Sequence, residues 1–262
     1  MRTDAAEPIR LKDYRVPDYL IGKVDLDVKL HKAATRVQAR LAIHPNPAGR
    51  PNAALILDGD GLFATKIALD GRNLDLRGAQ AWNGVVTPDR FALHAPPNRP
   101  FVLEIETEVD AAANTRLMGL YRSGAAYCTQ CEAEGFRRIT YFLDRPDVLS
   151  VYTVRLEADI TEAPLLLSNG NMIASGKIAG TGRHYAVWHD PFPKPCYLFA
   201  LVGGDLGSIF DTFVTRSGRN VALGIHVEHG KEPYASYAMD ALKRAMAWDE
   251  EAYGREYDLG VF

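Results

Sequence analysis

The sequence predicts a mainly β protein whose antiparallel sheets pack as a sandwich or saddle. Runs that alternate polar and apolar residues at every position recur through the first two hundred residues. Turn-forming dipeptides cut those runs into short, closely spaced pieces. Only one long segment, near the end of the chain, carries a helical period instead.

The first clear strand is KVDLDVKL at 23–30, which must be wet on one face and packed on the other. The same alternation marks 36–43, 101–109 and 152–160. Pro45-Asn46-Pro47, DGDG at 58–61, Asp70-Gly71, Asn83-Gly84 and Ser168-Asn169-Gly170 supply the breaks. The stretch LLLSNGNMI at 165–173 reads as a hairpin, because Asn-Gly supplies the positive φ angles of a tight turn. After Gly203-Gly204 the character changes. Strands are expected at 210–215 and 221–227, and a helix over 236–254. In that helix Ala238, Leu242, Ala245 and Ala252 fall at helical spacing, and Gly254 is a C-terminal stop. Residues 256–262 read as the start of a further strand.

Composition narrows the function. The chain has 262 residues, 47% of them hydrophobic, enough for one large β domain or two domains. Thirty basic residues against 33 acidic ones leave a net charge of −3, so no general field draws in nucleic acid or an anionic membrane. No apolar run is long enough to span a bilayer, and the start is polar, unlike a signal peptide. Three cysteines do not make a disulfide framework, so a reducing, cytoplasmic location is expected.

The most unusual stretch is CTQCEAEGFRRITYFLDRPD at 128–147. Cys128 and Cys131 have CxxC spacing, but a structural zinc ion needs four ligands. The nearest candidate partners, His184 and His189, lie too far along the chain for a knuckle. A redox pair wants a helix N-terminus to stabilise its thiolate, and no helix is evident after Cys131. Two ordinary thiols near a core are the simpler reading. Glu132 and Glu134 would share one strand face, either as an acid/base pair or as salt-bridge partners of Arg137 or Arg138. Elsewhere His226, Glu228 and His229 fit a solvated strand better than a ligand set. The glycines at 203–207 lack the strand-to-helix setting of a dinucleotide loop, and DGDG at 58–61 lacks the calcium-loop pattern and reads as a turn. There is no GxSxG, Walker loop or HExxH.

A resemblance carries the reading further. CTQCEAEGFRRITYFLDRPDV, LLSNGN, DPFPKPCYLFALV, DTFVTRSGR and MAWDEEAYGREYDLGVF look like the amino-terminal region of the zinc-dependent M1 metallopeptidases of the aminopeptidase N family. The likeness runs from about residue 9 to residue 262 and is most specific between 117 and 204. It implies a saddle-like β domain over 1–204. It also implies that 205–262 is the incomplete start of a thermolysin-like α+β catalytic domain. Relatives carry their G-A-M-E-N motif, HExxH helix and zinc ligands further on, so this chain is expected to bind no metal and to be inactive alone. Zinc would belong to the full-length enzyme, whose substrates are peptides with a free N-terminus.

The resemblance also assigns two site residues. Glu132 would hold the substrate's α-ammonium group and Gln130 would line the pocket for its first side chain, both projecting from one strand into the catalytic cleft. Glu134 and Asp144 are expected to be structural, and Asp144-Arg145-Pro146-Asp147 to anchor a turn with arginine pairs. Two other readings stay open: a non-catalytic scaffold of the same fold, and an unrelated carbohydrate-binding sandwich.

Overall fold

The computed structural model describes residues 10–76 and 82–262. It is mainly β, with 48% strand and 13% helix. The largest sheet has eight strands, in the order Asn171–Lys177, Arg183–Pro195, Leu149–Asp159, Tyr19–Lys29, Thr35–Pro45, Phe101–Val109, Phe63–Leu69 and Arg72–Asn73. The alternating runs form its centre. In Thr35–Pro45, Val37, Ala39, Leu41 and Ile43 are buried, while Arg36, Gln38 and Arg40 face away from the core. Tyr19–Lys29 keeps its inward phase only through a bulge. The register shifts between Ile21 and Lys23, so that Ile21 and Val24 both point into the core.

One pairing departs from the antiparallel expectation. Tyr19–Lys29 runs parallel to Leu149–Asp159, with Val24 opposite Tyr152. A parallel pair needs a long crossover. Here the intervening chain makes it by adding four strands to the large sheet and building one smaller sheet and half of a second, whose other two strands follow Leu149–Asp159. The first is Leu55–Asp58, Arg90–Leu93 and Gly84–Thr87; the second, of four strands, is Leu165–Ser168, Leu201–Gly204, Ala126–Gln130 and Gly119–Ser123. Side chains from all three sheets meet in one continuous core, including Leu41, Leu57, Phe91, Tyr127, Phe136 and Tyr152.

The expected hairpin at 165–173 is not one. Leu165–Ser168 pairs with Leu201–Gly204, whereas Asn171–Lys177 pairs with Arg183–Pro195 in the other sheet. The Asn-Gly signal does mark a turn, with Gly170 at φ +91°, but the turn passes the chain between sheets. Gly170 packs so closely that a Cβ would lie 2.2 Å from the His189 carbonyl oxygen. Asn169 is held elsewhere, accepting from the Ala200 N–H at 2.7 Å and donating to the Leu198 carbonyl at 3.1 Å. Turn chemistry thus fixes a bend without fixing which strand comes next to which.

Beyond Gly204, Gly207–Val214 and Asn220–Val227 form a separate two-stranded sheet, and the helix Ser236–Tyr253 packs on it. The helix buries Met239, Met246 and Glu250, with Leu242 partly covered. The alanines read from the sequence face outward, because the stripe is displaced by one residue to the bulkier methionines. Gly254 ends the helix in the left-handed conformation at φ +64°, as the sequence predicts. Residues 256–262 form only an isolated parallel bridge, Val261 to Ala222, rather than a strand. Among the described residues, no helix is long and apolar enough to cross a membrane.

The open face of the large sheet is laced with ion pairs. Glu157 accepts from Arg183 Nε at 2.8 Å and from Arg155 at 2.9 Å. Burial opposes its ionisation, but the hydrogen bonds from Arg183 and Arg155 outweigh burial and hold the carboxyl below its ordinary range. A depressed carboxyl stabilises the fold above its unfolded pKa, near 4.3, and that stability is lost as pH falls through the folded value. The Glu157→Gln variant is therefore expected to lose less thermal stability than the parent between about pH 5 and pH 3. Melting temperatures across that range check this; parallel curves for the two proteins would count against it.

Candidate substrate-recognition site

The strand Ala126–Gln130 runs through the four-stranded sheet and stops at Gln130, which sits opposite Gly119. Cys131 then dives into the core, and residues 132–135 make a tight turn closed by the Gly135 N–H donating to the Cys131 carbonyl at 2.8 Å. A single 3-10 turn, Phe136–Arg138, follows. Gln130, Glu132, Ala133 and Glu134 are exposed, while Cys131, Gly135 and Phe136 beneath them are buried. The Glu132–Ala133 peptide is cis.

This geometry corrects one step of the sequence reading. Glu132 and Glu134 do not share a strand face, because the ladder ends before them. What brings Gln130 and Glu132 together is the turn, in which Gln130 Nε2 donates to the Glu132 carbonyl at 3.3 Å. Strand alternation cannot reveal this, since the ladder's last residue has no signature in the sequence.

The anchors behind the turn explain its other charged residues. Phe136 packs edge-on against Phe142 and Phe199, with ring centroids at 4.8 and 5.2 Å. Arg137 gives its backbone N–H and its Nε to one oxygen of Asp144, at 3.0 and 2.9 Å. The Asp144 side chain is only 1% exposed, so it is a buried strut, as expected. Arg145 makes a two-pronged pair with Asp147, which also accepts from Tyr14 at 2.8 Å. Glu134 pairs with Arg137 at 3.3 Å, one of the two partners its spacing allowed. Among the described residues, Glu132 has no ion pair.

The three cysteines are free. Burial pushes the Cys131 and Cys196 thiols up, with the Asp144 charge adding to the effect, and burial alone raises Cys128. Cys196 serves as a donor to Asp144 at 3.0 Å. The histidines considered as zinc partners are occupied: His184 bonds the Ala163 carbonyl at 2.7 Å and His189 the Thr153 hydroxyl at 3.1 Å. Among the described residues no group of three or more His, Cys, Asp or Glu side chains could hold a metal ion. The described residues do not fit a zinc site.

Stacked, largely antiparallel sheets joined through Gly204 to a hairpin and helix define the class. Residues 18–198 match the M1 peptidase N-terminal domain, and the chain belongs to that family. Within it, the chain is similar to bacterial aminopeptidase N. It is 52% identical to the Caulobacter vibrioides enzyme over 262 residues, covering all of this chain and 29% of that protein. It is 45% identical to the Escherichia coli enzyme over 252 residues, covering 95% of this chain and 28% of that protein. The chain thus spans less than a third of the length of these relatives. The structure superimposes on Legionella pneumophila aminopeptidase A, crystallised in complex with aspartic acid, with a TM-score of 0.89 and 33% identity over 97% of this chain and 29% of that one. A Deinococcus radiodurans M1 zinc metallopeptidase shares the fold at a TM-score of 0.75 and 15% identity, over 94% of this chain and 56% of that one.

Proposed function

We propose that these residues form the substrate-recognition part of a zinc-dependent aminopeptidase, in which Glu132 binds the α-ammonium group of a peptide and Gln130 lines the pocket for its first side chain. The carrying observation is that Glu132 is exposed on an anchored turn with no cation of its own among the described residues, whereas Glu134, Asp144 and Asp147 are each paired with arginine. A fixed carboxylate reads a primary ammonium through charge-assisted hydrogen bonds of about 1.5–3 kcal/mol each. It also sets how far the peptide enters, which places the first amide at the reacting centre. In this reading residues 1–204 supply recognition, residues 205–262 begin the hydrolytic domain, and the metal chemistry belongs to residues outside this chain.

The test is Glu132→Gln in the intact peptidase, assayed on an alanyl chromogenic substrate. The amide keeps the size and removes the charge, so kcat/KM is expected to fall about 10- to 100-fold. An unchanged kcat/KM would remove Glu132 from the site.

A further inference from the structure

The DGDG stretch at 58–61 reads from the sequence as a plain turn, yet its Asp60 is hydrogen-bonded to Arg137 and Arg138 at the end of the recognition turn. We infer that Asp60 is a positioning residue for that turn, fixing the Glu132 carboxylate through Arg137 and Arg138. The inference rests on the reading of Glu132 as the amine-binding group. Asp60 grips the segment twice. Its backbone N–H donates to the Arg137 carbonyl at 3.1 Å, and its carboxylate accepts from Arg138 at 2.7 Å. Arg138 in turn donates from Nε to the Met118 carbonyl at 3.1 Å, which also accepts from Asn114 at 2.8 Å. Arg116 from the same loop reaches both Asp60 oxygens at 3.2 Å. One carboxylate therefore ties together the turn, the loop 114–119 and its own loop.

The loop that carries Asp60 is itself rigidly seated. Asp58 bridges to Phe142 just beyond the turn, and the Gly59 N–H donates to the Asp89 carbonyl at 2.9 Å. A Cβ on Gly59 would lie 2.7 Å from the Tyr141 ring and 2.8 Å from the Pro88 carbonyl oxygen, so only glycine lets the loop come this close. On the other side, a Cβ on Gly119 would lie 2.6 Å from Arg138 Cβ, so the Arg138 side chain rests on bare backbone opposite Gln130. The Arg138 side chain is 17% exposed and that of Asp60 36%, so this brace lies at the surface and its loss need not open the core. Contacts of this kind hold a binding group in its working geometry, where small displacements are costly.

The experiment is a double-mutant cycle in the intact peptidase with Asp60→Asn, Glu132→Gln and the pair. Kinetics on an alanyl substrate, inhibition by free leucine and melting temperature are measured for each. Asp60→Asn is expected to raise KM and the leucine inhibition constant roughly tenfold, with kcat changed less than about threefold. In the Glu132→Gln background the same change should move either constant less than about twofold. An equal effect with and without Glu132, or a fall in melting temperature with KM unmoved, would overturn the positioning role. If Glu132→Gln alone changes nothing, the amine-binding reading falls and takes this inference with it. Should Asp60→Asn fail to fold, Arg138→Lys replaces it in the cycle, since lysine keeps the charge but cannot reach Asp60 and the Met118 carbonyl together.

Discussion

Gly135→Ala is expected to destabilise the protein by about 3 kcal/mol or more, although alanine is among the most easily accommodated residues. Gly135 sits at φ −95° and ψ −17°, which any residue can adopt, so the obstacle is space and not backbone freedom. An alanine Cβ would lie 2.4 Å from the Gln130 carbonyl oxygen, 2.9 Å from Cys131 Cα and 3.1 Å from the Gly119 nitrogen. All three are backbone atoms, so no side chain can swing aside. Either the turn lifts off the end of the strand, or the Gln130–Gly119 pairing opens. Both moves displace Glu132, so the loss of stability should come with a loss of substrate affinity. Gly22→Ala is the control. A Cβ there meets nothing within 4 Å, and the change should stay within about 0.5 kcal/mol. Urea unfolding of the two variants decides the matter. A Gly135→Ala midpoint equal to the Gly22→Ala midpoint would mean that the turn is looser than its contacts imply.

The same residue shows what could be read in advance. Strands such as Thr35–Pro45 were legible because one buried face forces period-two alternation, whoever the neighbours are. The turn at 132–138 was legible from composition, as charged residues set among apolar ones, and from the family resemblance, but not in its shape. Its shape depends on contacts remote in sequence, such as Cys196 on Asp144 and Asp60 on Arg138. The spacing could offer Arg137 or Arg138 as the partner of Glu134, but could not choose between them. The choice follows because Arg138 is already committed to Asp60 and the Met118 carbonyl. Likewise the CxxC spacing drew attention to two thiols, while the cysteine that makes a defined polar contact, Cys196, stands outside that pair.

Asp144→Ala should cost about 3–5 kcal/mol, because it strips a nearly buried guanidinium of its partner. One Asp144 oxygen takes two N–H groups of Arg137 and the other takes the Cys196 thiol, while its backbone carbonyl accepts from Arg137 at 3.1 Å. Alanine preserves only the last of these. Arg137 is then left with Glu134, whose side chain is 65% exposed, and Asp58 at 3.8 Å, and neither replaces a buried acceptor. Asp144→Asn separates charge from shape. The amide oxygen can still accept from the Arg137 backbone, but its NH2 group confronts donors on one side, so an intermediate loss is expected. The order parent, Asn, Ala in unfolding free energy is the prediction, read from denaturant midpoints at neutral pH. If alanine proved no worse than asparagine, the charge of Asp144 would be the whole of its contribution and the hydrogen-bond geometry would count for nothing. The prediction follows from how the turn is built. Among the described residues the exposed Glu132 carboxylate has no ion pair, while Asp144 beneath it is engaged in holding Arg137 and the backbone in place.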